Sequence, residues 1–393
     1  MSASLPCFAG LLVSLFVPAL AAQPLYIDVT ATALPLKDAQ LRSMDAEMGD
    51  VNGDGHLDIF VAREFSKNLL LINQGDGTFK DASDHLPSPV HDSEDIALAD
   101  FDGDGDLDAV IVAEDDRIDL YYQNDGTGRF TMAKLPASEI TNGVTRGDVD
   151  GDGDEDLVTG NAGRNHWWRN DGGVFTAVSG AIPEKQAVSQ DVQLGDLDGD
   201  GDLDLVEANE GRNRVLLNDG RGQFVVLETA LPDVPMRESR QAALGDVDAD
   251  GDLDLVIGNV FLGFSRRLSD EGIVAGYGNR LFLNRGDATF SVSPGFPQDE
   301  LQSPHIGLVD LDHDGDLDIL ATSIENFGQP SNGRVHAYLN DGTGTFTDET
   351  TAIFPETFVG NGWDVAIGDV NGDGKPDLFL ANRFGEDRLL LAK

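Results

Sequence analysis

A nine-residue pattern, with Asp at position one, Asp or Asn at three, Asp at five, Gly at six and Asp at nine, occurs seven times in this chain. The copies begin at Asp50, Asp100, Asp148, Asp196, Asp246, Asp310 and Asp369. Self-similarity at such a period marks a repeat architecture, in which each unit buries its apolar face only against its neighbours. The length of 393 residues agrees, because a chain of that size exceeds what one hydrophobic core normally serves.

Each copy leads into a β-type stretch such as Leu57–Ala62 or Leu203–Ala208, then a loop, then a second apolar stretch such as Leu69–Ile72 or Val215–Leu217. Turns of the form Asn124-Asp-Gly-Thr-Gly-Arg-Phe130 and Asn340-Asp-Gly-Thr-Gly-Thr-Phe346 follow, with the Asn, Asp and Gly chemistry of tight hairpins. An alternating stretch such as Asp95–Ala99 or Asp364–Gly368 precedes each copy. Four strands per unit, with starts first separated by 50, 48, 48 and 50 residues, predict an all-β fold. The expected architecture is a seven-bladed β-propeller of four-stranded antiparallel blades.

The chain ends also predict how the ring closes. The seventh unit stops at Arg388–Lys393, before any fourth strand. Tyr26-Ile-Asp28-Val-Thr30 leading to Leu34-Pro35 matches the spacing of Phe346-Thr-Asp348-Glu-Thr350 leading to Phe354-Pro355. The N-terminal strand is therefore expected to complete the last blade and remove two open sheet edges.

Oxygen donors at alternate positions, a glycine and a terminal carboxylate make the pattern a hard-cation loop, in which position seven offers its backbone carbonyl. The expected donors are Asp50, Asn52, Asp54, His56 and Asp58 in the first loop, and Asp100, Asp102, Asp104, Asp106 and Asp108 in the second. Asp148, Asp150, Asp152, Asp154 and Asp156 form the third, and Asp196, Asp198, Asp200, Asp202 and Asp204 the fourth. Asp246, Asp248, Asp250, Asp252 and Asp254 follow, then Asp310, Asp312, Asp314, Asp316 and Asp318, and finally Asp369, Asn371, Asp373, Lys375 and Asp377. The expected cofactor is about seven Ca²⁺; Mg²⁺ fits less well, because it demands octahedral geometry and keeps its waters. The chain carries 71 acidic residues against 26 Lys and Arg, for a formal charge of −45. Seven divalent ions would bring that to −31 and relieve close carboxylate repulsion, so folding and metal binding should be coupled. The same imbalance argues against nucleic acid as a partner.

The motif, set in units that end in Asn-x-Gly-x-Gly-x-Phe, resembles the FG-GAP/VCBS repeat of integrin α-subunit propellers and of many secreted bacterial proteins. The resemblance spans about residues 24 to 393. All seven units here carry the acidic loop, which makes the chain more similar to the bacterial type. The resemblance implies a propeller and calcium; propellers host lectins, lyases and scaffolds alike.

Counting back five from each motif start gives Asp45, Asp95, Gly143, Asp191, Gln241, His305 and Asp364, expected as first residues of the innermost strands at the channel mouth opposite the metal loops. Two readings stand: a site for a cation or hydroxyl-rich ligand, or a solvated ring over a wet channel. The loops between second and third strands should open on the same face, and two are long. One runs from Val260 to Gly278 and contains Arg266, Arg267 and Tyr277; the other runs from Ile324 to Pro330. Aromatic and basic residues there suit sugar or anionic-polymer recognition, or a self-packed loop. Trp167 and Trp168 occupy the third-strand register, so at least one should be core. Arg146-Gly147-Asp148 spells an adhesion tripeptide, but Asp148 already heads a metal loop.

Residues 1–22 form an apolar run closing on Ala19-Leu20-Ala21, read as a secretory signal ahead of a propeller over 23–393. The expected location is secreted or periplasmic, with no membrane span and a monomeric state. Cys7 is the only cysteine, so no disulfide is expected to staple the fold. No nucleophile elbow, zinc-protease motif or phosphate loop is present. The leading function is a non-enzymatic binding or adhesion module for carbohydrate or a partner protein. The alternatives are a polysaccharide lyase using His305 with Arg240, Arg266 or Tyr277, and a scaffold.

Overall fold

The computed structural model describes residues 24–35, 42–87, 90–136, 139–234, 238–260, 278–297, 301–324, 333–355 and 362–393. Seven antiparallel sheets of four strands form the blades. Blade 1 runs Ser43–Gly49, Asp58–Arg63, Leu69–Asn73 and Phe79–Asp81, and blades 2 to 6 repeat that order. Blade 7 takes Gly362–Gly368, Asp377–Asn382 and Arg388–Ala392 from the C-terminal end and Tyr26–Asp28 from the N-terminal end. Tyr26 pairs with Ala392 and Asp28 with Leu390, as the matched spacing predicts. The short helices Thr30–Ala33 and Thr350–Ile353 follow the two equivalent strands, each opened by an aspartate that accepts the helix's first N–H. Tyr26 is fully buried, packs at a tilt against Phe354 and donates its hydroxyl to Pro376 O at 2.9 Å.

The second strands read as near-continuous apolar runs because both faces are covered. Seven apolar clusters result, each shared by two adjacent blades; Phe60 and Tyr122 join blades 1 and 2, and Leu311 and Leu378 join blades 6 and 7. Trp168 packs toward blade 2 and Trp167 toward blade 4, so both are core, and each indole N–H has a partner, Thr159 Oγ1 and Asp156 Oδ2 respectively.

Two polar joints fix the blades. The ninth-position aspartate is buried and has both oxygens engaged: Asp58 accepts main-chain N–H groups from Asn73 at 2.9 Å and Val51 at 3.2 Å, while Asp108 takes Asn124 N and the Tyr121 hydroxyl. The asparagine ending the third strand then reaches the neighbouring blade, as Asn73 Nδ2 does to Val370 O at 2.7 Å and Asn124 Nδ2 to Val51 O at 2.7 Å. Burying these groups is tolerable only because each is satisfied.

A second joint closes the loops between second and third strands. Asn68, Asn165, Asn213 and Asn279 each accept the N–H that ends their second strand. Blades 2 and 7 use Asp119 and Asp387 at that place, accepting from Ala113 and Asn382. Burial pushes both carboxyls up to about 7. A carboxyl whose folded pKa lies above its unfolded value stabilises least once pH has risen through the folded value. Asp119→Asn and Asp387→Asn keep the acceptor and can donate to Thr141 or Ser43, as Asn165 donates to Ser189. Each is expected to gain on the order of 1–3 kcal/mol at pH 8 and little at pH 4, read from thermal melts of wild type and variants at the two pH values.

Candidate functional site

The seven acidic loops join first to second strands at one end of the ring, and the loops between second and third strands lie at the other, as the register of Gly49 on Asp58 and Ser43 on Arg63 requires. In each acidic loop the position-six glycine adopts a left-handed φ, from 84° at Gly374 to 101° at Gly315. Ala249 and His313 hold the same half of Ramachandran space at position four. The first aspartate accepts N–H groups from positions five and six: Asp50 takes Asp54 N on Oδ1 and Gly55 N on Oδ2. The fifth accepts from the seventh, as Asp54 does from His56 and Asp373 from Lys375. Position-seven side chains turn outward, leaving only their carbonyls for the loop; His56 lies against Gly75, at whose α-carbon a Cβ would meet its ring at 2.8 Å.

The third position reveals what such a loop would hold. Oδ1 of Asp150, Asp248 and Asp312 is buried without a hydrogen-bond partner. Burial and then the flanking carboxylates raise Asp102, Asp150, Asp198, Asp248 and Asp312 above the usual carboxylate range. Ligand oxygens converge in Asp100, Asp102 and Asp104, in Asp148, Asp150 and Asp156, and in Asp196, Asp198 and Asp204. These acidic clusters have the donor set of a metal site, and the orphaned carboxylate oxygens of Asp150, Asp248 and Asp312 fit a hard cation.

At the opposite end, the counted-back ring does converge on the channel, but not as first residues of strands. Six first strands begin two residues earlier and break register just before the ring residue. His305 lies just ahead of its strand, Ile306–Val309. The ring side chains have partners in the next blade. Asp364 accepts from Ala46 N, Asp45 from Ile96 N, Asp95 from Val144 N, Asp191 from Ala242 N and Gln241 from Ile306 N, at 2.7–3.2 Å. Gly143 has no room for a side chain, since a Cβ would lie 2.9 Å from Asp191 Cα, and Asp191 Oδ1 takes Val192 N instead. His305 Nδ1 meets Asp364 Oδ1 at 2.7 Å. Burial and the neighbouring carboxylates push Asp45 and Asp95 well up, and burial pushes Asp191 to about 6. Burial is the largest single influence on Asp364 and acts in the same direction, but His305, Asp45 and the Ala46 N–H together hold the carboxyl below its ordinary value.

The residue skipped by each register break turns to the mouth. Met44, Glu94, Asn142, Gln190, Arg240 and Trp363 line a vestibule above the ring, which β-bulges re-aim in this way. Arg240 donates to Gln190 Oε1 at 2.6 Å, and its guanidinium lies 5.4 Å from the Trp363 ring centre. Arg383 lies 4.7 Å from the same ring and clasps Glu64 at 2.5 and 3.2 Å. Trp363 also packs with Met44, Val260 and Ile324, so the roots of both long loops meet at the vestibule. Arg266, Arg267, Tyr277 and residues 325–330 lie outside the described residues. Glu64, Glu94, Trp363 and Arg383 were not singled out in the sequence; that Glu94 and Trp363 directly precede ring residues was the available signal. Gly143→Ala is expected to lower stability by about 1–3 kcal/mol without altering metal stoichiometry, as measured by urea unfolding and calorimetric titration.

A family model for the FG-GAP-like repeat matches residues 50–111, 108–159, 148–207, 196–257 and 310–380. A search of curated proteins gives no match. Among solved structures, an Agrocybe aegerita lectin, described by its specific recognition of non-reducing terminal N-acetylglucosamine, is similar with a TM-score of 0.53. It is 22% identical over 80% of this chain and 82% of that one. A chain from crystals of BBS1N in complex with ARL6DN, soaked with lead, has a TM-score of 0.58 at 11% identity, covering 94% of this chain and 98% of that one. These likenesses carry the fold. No helix among the described residues is long and apolar enough to cross a membrane. With five repeat matches that together span more than half of its length, the chain belongs to the FG-GAP-like repeat family.

Proposed function

We propose that this chain is a secreted or periplasmic calcium-loaded propeller that acts as a non-enzymatic binding or adhesion module, with its ligand taken on the vestibule face. The calcium reading rests on the unpartnered third-position oxygens inside the acidic loops. The ions stiffen the loops between first and second strands, where carboxylates would otherwise repel. The location rests on residues 1–22, read as a signal peptide.

The observation that carries the ligand face is the meeting of Trp363, Arg240 and Arg383 with the roots of two long loops at one end of a sevenfold-regular ring. Arginine and tryptophan next to Glu94, Asn142 and Gln190 are suited to a hydroxyl-rich, planar-faced ligand such as a carbohydrate. The Agrocybe aegerita lectin of the same fold recognises a sugar, which makes glycans the first ligands to screen.

Calorimetric titration of the chelated protein is expected to count about seven Ca²⁺, and Asp150→Ala to remove one of them. Chelator should lower the melting temperature by more than 10 °C at neutral pH; a melt indifferent to chelator sinks the calcium reading. On a glycan array in calcium, Arg240→Ala is expected to weaken the wild-type signal at least tenfold while melting as wild type does. An unchanged signal would move the ligand off the vestibule, and a calcium-replete wild type that binds no glycan and no surface protein counts against the module itself.

A further inference from the structure

The channel below the ring holds a buried polar atom that the ring's hydrogen bonds to the next blade leave unused. Strand alternation turns the residues two positions past the ring into the channel as well, among them Glu47, Ala97, Thr145, Gln193 and Ala366. In blade 6 that position is Gly307, and the imidazole of His305 occupies the room that a side chain would take. A Cβ on Gly307 would lie 3.0 Å from His305 Nε2. The histidine side chain is 6% exposed, yet Nε2 has no hydrogen-bond partner.

The tautomer follows from the contact on the other nitrogen. Asp364 is acceptor-only as a carboxylate, and its second oxygen is occupied by Ala46 N. Nδ1 therefore carries the proton toward Asp364 Oδ1, and Nε2 presents its lone pair. A carboxylate behind an imidazole is the arrangement that orients a histidine ligand and raises its basicity toward a metal. His305 borders a cavity of about 490 Å³ that is also lined by Asp45, Glu47, Asp95 and Asp191. Arg146 is the only lysine or arginine among the residues lining it.

We propose that the channel is a second cation site, distinct in kind from the seven loops, which binds one divalent ion of the borderline class, such as Zn²⁺, Co²⁺ or Cu²⁺, through His305 Nε2. Asp364 is the orienting partner, and Asp45, Glu47, Asp95 and Asp191 are the acidic residues that line the same cavity. The loops offer oxygen donors and suit calcium; an imidazole nitrogen suits the borderline metals. The assignment does not rest on what the vestibule binds, and calcium enters it only as a blocker of the loops.

The test uses the full untagged chain in millimolar Ca²⁺, so that the loops are filled, and titrates Co²⁺ by calorimetry and Cu²⁺ by electron paramagnetic resonance. One equivalent of Co²⁺ is expected to bind, and the copper spectrum is expected to show coupling to an imidazole nitrogen. His305→Gln should lose that equivalent and that coupling, and Asp364→Asn should weaken binding about 10- to 100-fold. His56→Gln and His313→Gln, the loop histidines, should leave both unchanged. If His305→Gln fails to fold, the wild-type nitrogen coupling and its persistence when each of His56, His85, His91, His166, His313 and His336 is replaced by Gln decide the matter. A wild type that takes up no Co²⁺ in calcium, a copper spectrum with oxygen donors alone, or a bound equivalent that survives in folded His305→Gln overturns the proposal.

Discussion

The buried aspartate at position nine of each repeat sits where three requirements meet. In blade 1 its oxygens take the N–H of Val51, second in the acidic loop, and the N–H of Asn73, which ends the third strand. That asparagine uses its own amide to hold a carbonyl of its blade's loop and one in the adjacent blade. A single carboxylate thus sets the loop, the hairpin and the spacing between blades. Burial raises these groups, Asp58 to about 7 and Asp108, Asp156, Asp204, Asp254, Asp318 and Asp377 to about 6. A cation beside them would act in the opposite direction, so the same joint that organises the backbone ties the ring's stability to ionic conditions.

The two ends of the ring solve different problems with the same residue type. At the loop end, aspartates crowd together with oxygens to spare. At the channel end, they are spent across blade boundaries on main-chain donors of the next blade. Counting acids does not distinguish the two uses; the direction of the donors does. Blade 6 departs from the pattern, because His305 faces a side chain where its counterparts face backbone, and it is there that a nitrogen is left over.

Much of this was legible in the sequence because it is local and periodic. The loop glycines, the Asn-x-Gly turns and the matched flanks of Tyr26 and Phe346 carry their geometry in residue type and spacing alone. The ring of Asp45, Asp95 and Asp364 was legible as a position, but its role was not, since its partners are backbone N–H groups that no side-chain pattern records. A β-bulge is equally silent in sequence, and it decides that Arg240 and Trp363 face the vestibule. Glu64 and Arg383 meet only because the ring brings blade 1 back against blade 7, across more than three hundred residues.

That closure also orders events in time. Blade 7 is assembled from residues 26–28 and 362–392. Its outer strand is among the first parts of the propeller to be synthesised and must wait, unpaired, until nearly the whole chain exists. Six blades can stack progressively as they emerge, each templated by the one before, whereas the seventh requires both chain ends at once. The waiting segment is only three residues of strand with Asp28 at its end, too short and too charged to recruit a stray edge, and the ring stays open to the last without offering a ready template for aggregation.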